Sequence, residues 1–509
     1  MTAKREGPLM SIPPFVVKAT CMASLGGILF GYDMGVVAGA LPQLKEDFHL
    51  SERQQEGVVG LLYLGAGLGA CFGGIICDRL GRKTGILITD GIFIAGAAIL
   101  FLATSVHVLY LGRIVVGFGI SVSGIADVAY LHEMAPVDWR GSLVSVNEGC
   151  ISLGFLFAFL AGFLLNERAS GWRYMFGISG IIALLQLVGM WTLPESPLWL
   201  KEQGRIEEHN AALRMIHGGE EQLPTDEEGG TEANDQLDIP ARGQPSPNTD
   251  DQCDTLSSTV ILSPSSGRHR KLYETISLYH KQISIALFLA VFQQLSGQAS
   301  VLNFTPSIFS SLEKENTLVM VYIGVVKLSV TVLVIWRIEY VGRRLLLLIG
   351  MSVLAVGQFL VAIAFRQGLV TSYDSIPWAM IGVLCVVMGY SFSFGPLTWL
   401  LTSELVPTNI RGRTLGSATV VTYLVATLVT STFLSMQSIL GSCAVFVLYG
   451  LVTAFGVVFA FLAVPETSGM NVEEIDSALR SMWLWKRTRQ DGTDLEPTIA
   501  PRYEVIEFT

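Results

Sequence analysis

The sequence predicts an all-α membrane protein whose twelve transmembrane helices fall into two six-helix halves. Three observations carry that expectation. Apolar stretches of about twenty residues recur along almost the whole chain, charge is scarce in the chain as a whole, and three loop motifs occur twice in the same order. Of the 509 residues, 51% are hydrophobic and only 15% charged, against roughly 25% charge in a soluble protein. A chain of this composition places its bulk in lipid.

Each stretch is long enough to cross a hydrocarbon core of about 30 Å. The first six lie at 16–41, 57–77, 86–106, 108–132, 143–165 and 174–194, and the second six at 282–309, 318–337, 345–365, 377–402, 414–436 and 441–464. The resulting organisation is an N-terminal segment (1–15), a first half (16–194), a hydrophilic connection (195–281), a second half (282–464) and a tail (465–509). Span one follows fifteen residues and ends without a small-residue cleavage pattern, so it reads as a retained helix rather than a removed signal. Span two carries Gly65, Gly69 and Gly73 at four-residue spacing, a surface that lets another helix approach closely.

Arg79, Arg82, Lys83, Arg140, Arg337, Arg343, Arg344, Arg411 and Arg413 crowd the loops after even-numbered spans. The positive-inside rule then puts both termini in the cytoplasm. Lys45, Arg53, Arg168, Arg173, Lys314 and Arg366 sit in the opposite loops and make the bias moderate. The net charge of −10 collects in the connection and the tail and indicates no nucleic-acid partner. Six of the seven cysteines lie in spans as small apolar fillers, with Cys253 in the connection, and their spacing suggests neither a disulfide framework nor a metal site.

The repeats organise the rest. Asp78-Arg79-Leu80-Gly81-Arg82-Lys83 after span two is echoed by Glu339-Tyr340-Val341-Gly342-Arg343-Arg344 after span eight. Glu133 to Pro136, followed by Arg140-Gly141, is echoed by Glu404 to Pro407, followed by Arg411-Gly412; Pro194-Glu195-Ser196 is echoed by Pro465-Glu466-Thr467. Two halves of like orientation form a parallel repeat about an axis along the membrane normal, with a substrate site between them near the midplane. The expected role of Asp78, Arg82, Glu133, Arg140, Glu195, Glu339, Arg343, Glu404, Arg411 and Glu466 is a cytoplasmic gate, its acids and arginines pairing across the halves. The plainer reading makes them positive-inside anchors.

Within the connection, short amphipathic helices are expected around 198–216 and disorder over 218–270, which is too poor in large apolar residues to repay ordering entropy. Ser246-Pro247 and Ser263-Pro264 are candidate phosphorylation dipeptides there.

Ionisable residues inside spans are costly and count as functional candidates. Asp33 lies well inside span one, and Arg113 lies near the outer end of span four. Such a buried pair is either structural glue or a carboxylate whose proton exchange a neighbouring arginine controls, as proton coupling requires. Asn147 and Glu148 in span five, Gln293, Gln294, Ser296, Gln298, Ser300 and Asn303 in span seven, Lys327 in span eight, and Thr398-Trp399 in span ten bring amides, hydroxyls and an aromatic face into the interior. That chemistry suits a sugar, whose hydroxyls both donate and accept and whose ring face stacks on an aromatic. Interhelical hydrogen bonding is the plainer alternative for any one amide.

These strings resemble the sugar porter family of the major facilitator superfamily over residues 15–480. The resemblance is carried by Phe30-Gly31-Tyr32-Asp33, Asp78 to Lys83, Gly112-Arg113, Glu133 to Gly141, Pro194 to Pro197, Gln293 to Gly297, Gly342-Arg343-Arg344, Gly395 to Trp399, Glu404 to Arg413 and Pro465-Glu466-Thr467. Val146-Asn147-Glu148, Gly297-Gln298, Val326-Lys327 and Gly395 to Trp399 are most similar to class III facilitative glucose transporters of solute carrier family 2. The resemblance implies the major facilitator fold and facilitative hexose uniport by alternating access, without cofactor. It implies that Gln293, Gln294 and Trp399 contact hexose, that Glu148 takes the place of a sugar-binding glutamine, and that Arg113 partners Asp33. Gln298, Asn303 and Thr422 complete the expected substrate set. Four departures stand out: Ala299 where many relatives carry a sugar-binding asparagine, Thr422 where an asparagine is usual, Leu198 for the arginine of the Pro-Glu-Ser-Pro-Arg run, and the absence of a long external loop between spans nine and ten.

Proton-coupled symport through Asp33 and Arg113, carriage of a related solute such as dehydroascorbate, and a sugar-sensing receptor on a carrier scaffold remain open. No phosphate-cradling loop or histidine cluster points to an enzyme or an ATP-driven pump. The expected protein acts as a monomer in the bilayer, at the plasma membrane or in perinuclear internal membranes, the latter hinted at by Tyr503-Glu504-Val505-Ile506. The sequon at Asn303 falls inside span seven, out of reach of lumenal glycosylation.

Overall fold

The computed structural model describes residues 13–136, 140–216, 279–308, 316–366, 376–470 and 472–482. The expected disorder over 218–270, both Ser-Pro dipeptides and the Tyr503 motif lie outside the described residues.

Among the described residues all regular structure is helical, and twelve helices are long and apolar enough to cross a membrane. The first half contains α1 (Pro14–Phe48), α2 (Glu52–Leu80), α3 (Arg82–Phe101), α4 (Val106–Met134), α5 (Arg140–Leu165) and α6 (Gly171–Trp191). Two short helices follow, α7 (Pro197–Glu202) and α8 (Ile206–Ile216). The second half contains α9 (His280–Leu295), α10 (Gln298–Asn303), α11 (Thr305–Ile308), α12 (Asn316–Val341), α13 (Arg343–Arg366), α14 (Ile376–Phe392), α15 (Phe394–Leu405), α16 (Thr408–Thr430), α17 (Phe433–Leu440) and α18 (Ser442–Ala463). The last described helix is α19 (Val472–Ser481).

Packing within the first half is closest between α2 and α4 and between α1 and α5. Without a hydrophobic drive between helices in lipid, tight contact depends on small residues. The α2 stripe supplies it: a side chain at Gly65 would overlap the Ile114 carbonyl, and one at Gly69 would meet the Phe118 carbonyl at 2.5 Å. In the second half α13 packs on α14 and α18. The halves meet along α2 with α16, along α5 with α12, and where α1 touches α10 and α11.

Three expected spans differ in detail. Span seven is broken at Ser296-Gly297, where Gly297 has φ +74°, and span ten is broken at Ser393, with φ −113° and ψ −90°. Span eleven stops at Thr430, and Phe433–Leu440 forms a separate short helix. A run of apolar residues records burial but not helix continuity, so hydropathy alone passes over such breaks.

Candidate substrate site between the halves

The two broken helices position the site. Unwinding in the membrane is tolerated only where freed backbone groups find partners inside the protein. At the first break Gln358 of α13 donates from Nε2 to the Ser296 carbonyl at 2.8 Å, and the Ser296 hydroxyl donates to the Gln293 carbonyl at 2.7 Å. At the second, the Ser393 hydroxyl donates back to the Gly389 carbonyl at 2.7 Å. Gln293 ties the breaks together, its Nε2 donating to the Tyr390 hydroxyl at 3.0 Å and to the Phe394 carbonyl at 3.2 Å.

Several buried polar atoms of the helices of both halves have no protein partner. Gln293 Oε1, the Ser391 and Thr398 hydroxyls and Thr422 Oγ1 are buried and unpartnered, as is Asn147 Oδ1 from the first half. Gln294 and Gln298 are buried, and Trp399 is half-buried in α15. Asn303 has a protein partner, its Nδ2 donating to the Tyr63 hydroxyl of α2 at 3.2 Å, so it bridges the halves.

Glu148 on α5 and Lys327 on α12 influence each other electrostatically across the halves. The Lys327 ammonium lies 5.0 Å from the Phe155 ring centre and 5.7 Å from that of Tyr390. One turn along each helix, the Ser152 hydroxyl donates to Thr331 Oγ1 at 2.9 Å and fixes the register of α5 against α12. Tyr390, Tyr63 and Phe155 therefore belong to the site although the sequence reading did not single them out. A tyrosine or phenylalanine in an apolar span reads first as core.

Asp33 and Arg113 come together, but not as the expected ion pair. Arg113 binds main chain, its Nη1 donating to the Asp33 carbonyl at 3.1 Å and its Nε to the Val58 carbonyl at 3.0 Å, beneath the Phe176 ring at 5.9 Å. The Asp33 carboxylate accepts from the Ser179 hydroxyl at 2.8 Å. Both residues are almost fully buried.

The loop motifs build the same device twice. Gly81 and Gly342 adopt positive φ and precede α3 and α13. Glu195 then accepts from the Lys83 and Thr84 amides at 2.8 and 3.2 Å, and Glu466 from the Arg343 and Arg344 amides at 2.9 and 3.2 Å. Each carboxylate caps a helix N-terminus whose own N-cap lacks a side chain, where negative charge is favoured. Arg82 reaches Glu133 at 3.0 Å and Asp78 at 3.6 Å, and Arg343 reaches Glu404 at 3.4 Å. Glu133 also accepts from the Ser196 hydroxyl, and Glu404 from that of Thr467 at 2.5 Å. Thus among the described side chains the ion pairs of this gate set lie, in this conformation, within each half, where helix capping and local ion pairs satisfy Glu195, Glu466, Glu133 and Glu404. Arg411 Nε is unpartnered; the side chains of Arg140 and Glu339 lie outside those described.

Among the described residues the hydrogen bonds that join the halves run from mid-span to the end opposite the motif loops. Outermost is Glu56 of α2, buried, which accepts from the Ser435 amide and hydroxyl of α17, both at 2.7 Å. Hydrogen bonds to a charged group contribute about 1.5–3 kcal/mol each. Glu56→Ala is therefore expected to shift the balance between conformations by roughly tenfold or more toward opening at that end. Distances between spin labels at the outer ends of α2 and α16 would read this as a longer population, and an unchanged distribution would remove the latch assignment.

Comparison with known proteins places this geometry in context. The sugar (and other) transporter family profile matches residues 19–479. A D-xylose-proton symporter-like 3 protein of Arabidopsis thaliana is 32% identical over 92% of this chain and 82% of its own length. Solute carrier family 2, facilitated glucose transporter member 10 of Danio rerio is 29% identical over 96% of this chain and 97% of its own length. The inward-open structure of the xylose transporter XylE from E. coli superposes with a TM-score of 0.70 at 27% identity, covering 91% of this chain and 99% of that one.

Proposed function

This chain belongs to the sugar (and other) transporter family, as a twelve-helix sugar porter of the major facilitator superfamily, and from that membership we propose that it carries a hexose by facilitated uniport. The observation that supports this most is the set of buried, unpartnered polar atoms around Gln293, Thr422 and Asn147, beside the half-buried Trp399. Left without partners, buried polar groups cost about 1–3 kcal/mol each. A ring bearing several hydroxyls supplies donors and acceptors together and offers an apolar face to an indole. Gln294, Gln298 and Glu148 extend the same polar surface, and Asn303 meets it through Tyr63.

Alternating access follows from the placement of bonds between the halves. The motif end, read as cytoplasmic from its arginines, carries ion pairs that, among the described residues, lie within each half, which leaves it free to separate while the Glu56 latch holds the other end. When the halves rock the other way, the Arg82–Glu133 and Arg343–Glu404 sets become available to pair across the seam.

Proton symport is the second reading, favoured by the Asp33 carboxylate, which is buried on a single hydroxyl donor. Sugar-driven pH change in proteoliposomes separates the two. Uniport predicts labelled hexose uptake with no proton movement in the native chain and in Asp33→Asn alike. Proton uptake with sugar that disappears in Asp33→Asn would replace uniport by symport.

A further inference from the structure

The first half contains a second group of buried acids, distinct from Asp33. Asp90 on α3 and Asp127 on α4 are each 1% exposed. Asp90 comes eight residues after Arg82, and Asp127 seven residues before Met134. At 1.5 Å per residue both lie about 10–12 Å inside the motif end. Arg113 is seven residues from the start of α4 at the opposite end, so Asp33 and Arg113 occupy a different level.

The surroundings are short of positive charge. Asp127 accepts from the Ser123 hydroxyl on its own helix and from Gln186 Nε2 of α6 at 3.3 Å. Gln186 is 0% exposed and turned into the group, yet its Oε1 has no partner, and neither has Asp90 Oδ2. Asp90 feels the charge of Asp127, and among the described residues no basic side chain pairs with either. The other titratable group facing Asp127 is the Cys77 thiol of α2. From α1 Gly26 lies against it, where a side chain would overlap the carboxylate, and from α6 Gln186 donates to it.

We propose that Asp90 and Asp127 form a proton-binding site, sharing one proton under the conditions in which the carrier works. Burying an ion without compensation costs several kcal/mol, and two carboxylates a helix apart compound that cost. A proton taken from water at the motif end forms one O–H bond on a carboxylate oxygen and lowers the charge of the group from −2 to −1. It also supplies the donor that the orphaned oxygens lack. The site connects to the proposed sugar site through α1. Gly26 abuts Asp127 on one side, and a side chain at the next residue, Gly27, would lie 2.5 Å from Asn147 Oδ1. Losing the proton therefore presses a second negative charge against α1 behind the sugar site, and sugar affinity falls as pH rises through that loss.

Infrared spectroscopy of the purified chain in lipid, exchanged between H2O and D2O, tests this. The native protein is expected to show a protonated-carboxyl carbonyl band that shifts on deuteration. Asp33→Asn should retain it, and Asp90→Asn, Asp127→Asn should lose it together with the pH dependence of sugar binding. The asparagines preserve shape and the neutral charge of a protonated acid, so the chain should still bind sugar. A native spectrum without such a band, a band that survives in the double variant, or one that Na+ displaces at constant pH would each overturn the assignment. The native measurement stands even if the double variant fails to fold. Failure of hexose binding in every form would count against the transport reading instead, since the band is read without sugar.

Discussion

Replacing Gln293 and Gln294 together by alanine is expected to raise the apparent KM or Kd for hexose by well over tenfold while the carrier still reaches the membrane folded. Gln293 both keeps a buried, unpartnered Oε1 and joins the two broken helices through Tyr390 and Phe394. Losing one buried amide partner costs about 1–3 kcal/mol, and 1.4 kcal/mol is a factor of about ten. Two amides acting on one sugar reach roughly a hundredfold if each contributes about 1.4 kcal/mol, in the lower half of that range. Because Gln293 also carries structure, Gln294→Ala alone separates the effects. Gln294 is buried without forming part of the link, so its loss should raise KM with little change in thermal stability. Unchanged sugar kinetics in the double variant would remove the site assignment.

The largest effect on folding is expected at Arg113. The guanidinium holds the Asp33 and Val58 carbonyls in a fully buried position. Arg113→Leu strips both of their donor and leaves the nearby Asp33 carboxylate without the positive charge it feels. Removing one member of a buried charged group costs about 3–5 kcal/mol. The melting temperature in detergent should fall by many degrees, and yield with it. Lysine should not substitute, because one ammonium does not reproduce the planar fork that spans two carbonyls. Adding Asp33→Asn to Arg113→Leu should recover part of the loss, since the stranded charge is then gone. An Arg113→Leu chain with native melting behaviour would contradict the geometry.

The twelve-span architecture was legible because each span repeats a long apolar run and the loop motifs announce a duplication. The breaks at Ser296 and Ser393 were not, since the groups that satisfy the backbone there come from far along the chain, Gln358 at the first and Gln293 beside the second. The amides of span seven stood out as polar residues in lipid. Tyr390, Tyr63 and Phe155 did not, as aromatics fit an apolar helix without remark. Asp90, Asp127 and Glu56 carried a readable signal, an ionisable group in or at the edge of an apolar run, and the motif-based reading passed over them. The charged motifs were recognised, but not the partners that Arg82 and Arg343 take within their own halves in this conformation. Sequence shows that acids and arginines recur at matching places; only the structure shows that Glu195 and Glu466 cap the local helices.

The central claim, a hexose carrier with one site exposed alternately to either side, meets its most direct test in counterflow. Proteoliposomes containing the purified chain are loaded with unlabelled glucose and diluted into a trace of labelled glucose. The account predicts that label accumulates transiently above its external concentration and then declines, and that Gln293→Ala, Gln294→Ala flattens the overshoot. Monotonic equilibration without an overshoot would indicate a pore, and no entry of label beyond that into protein-free liposomes would contradict glucose transport by this chain.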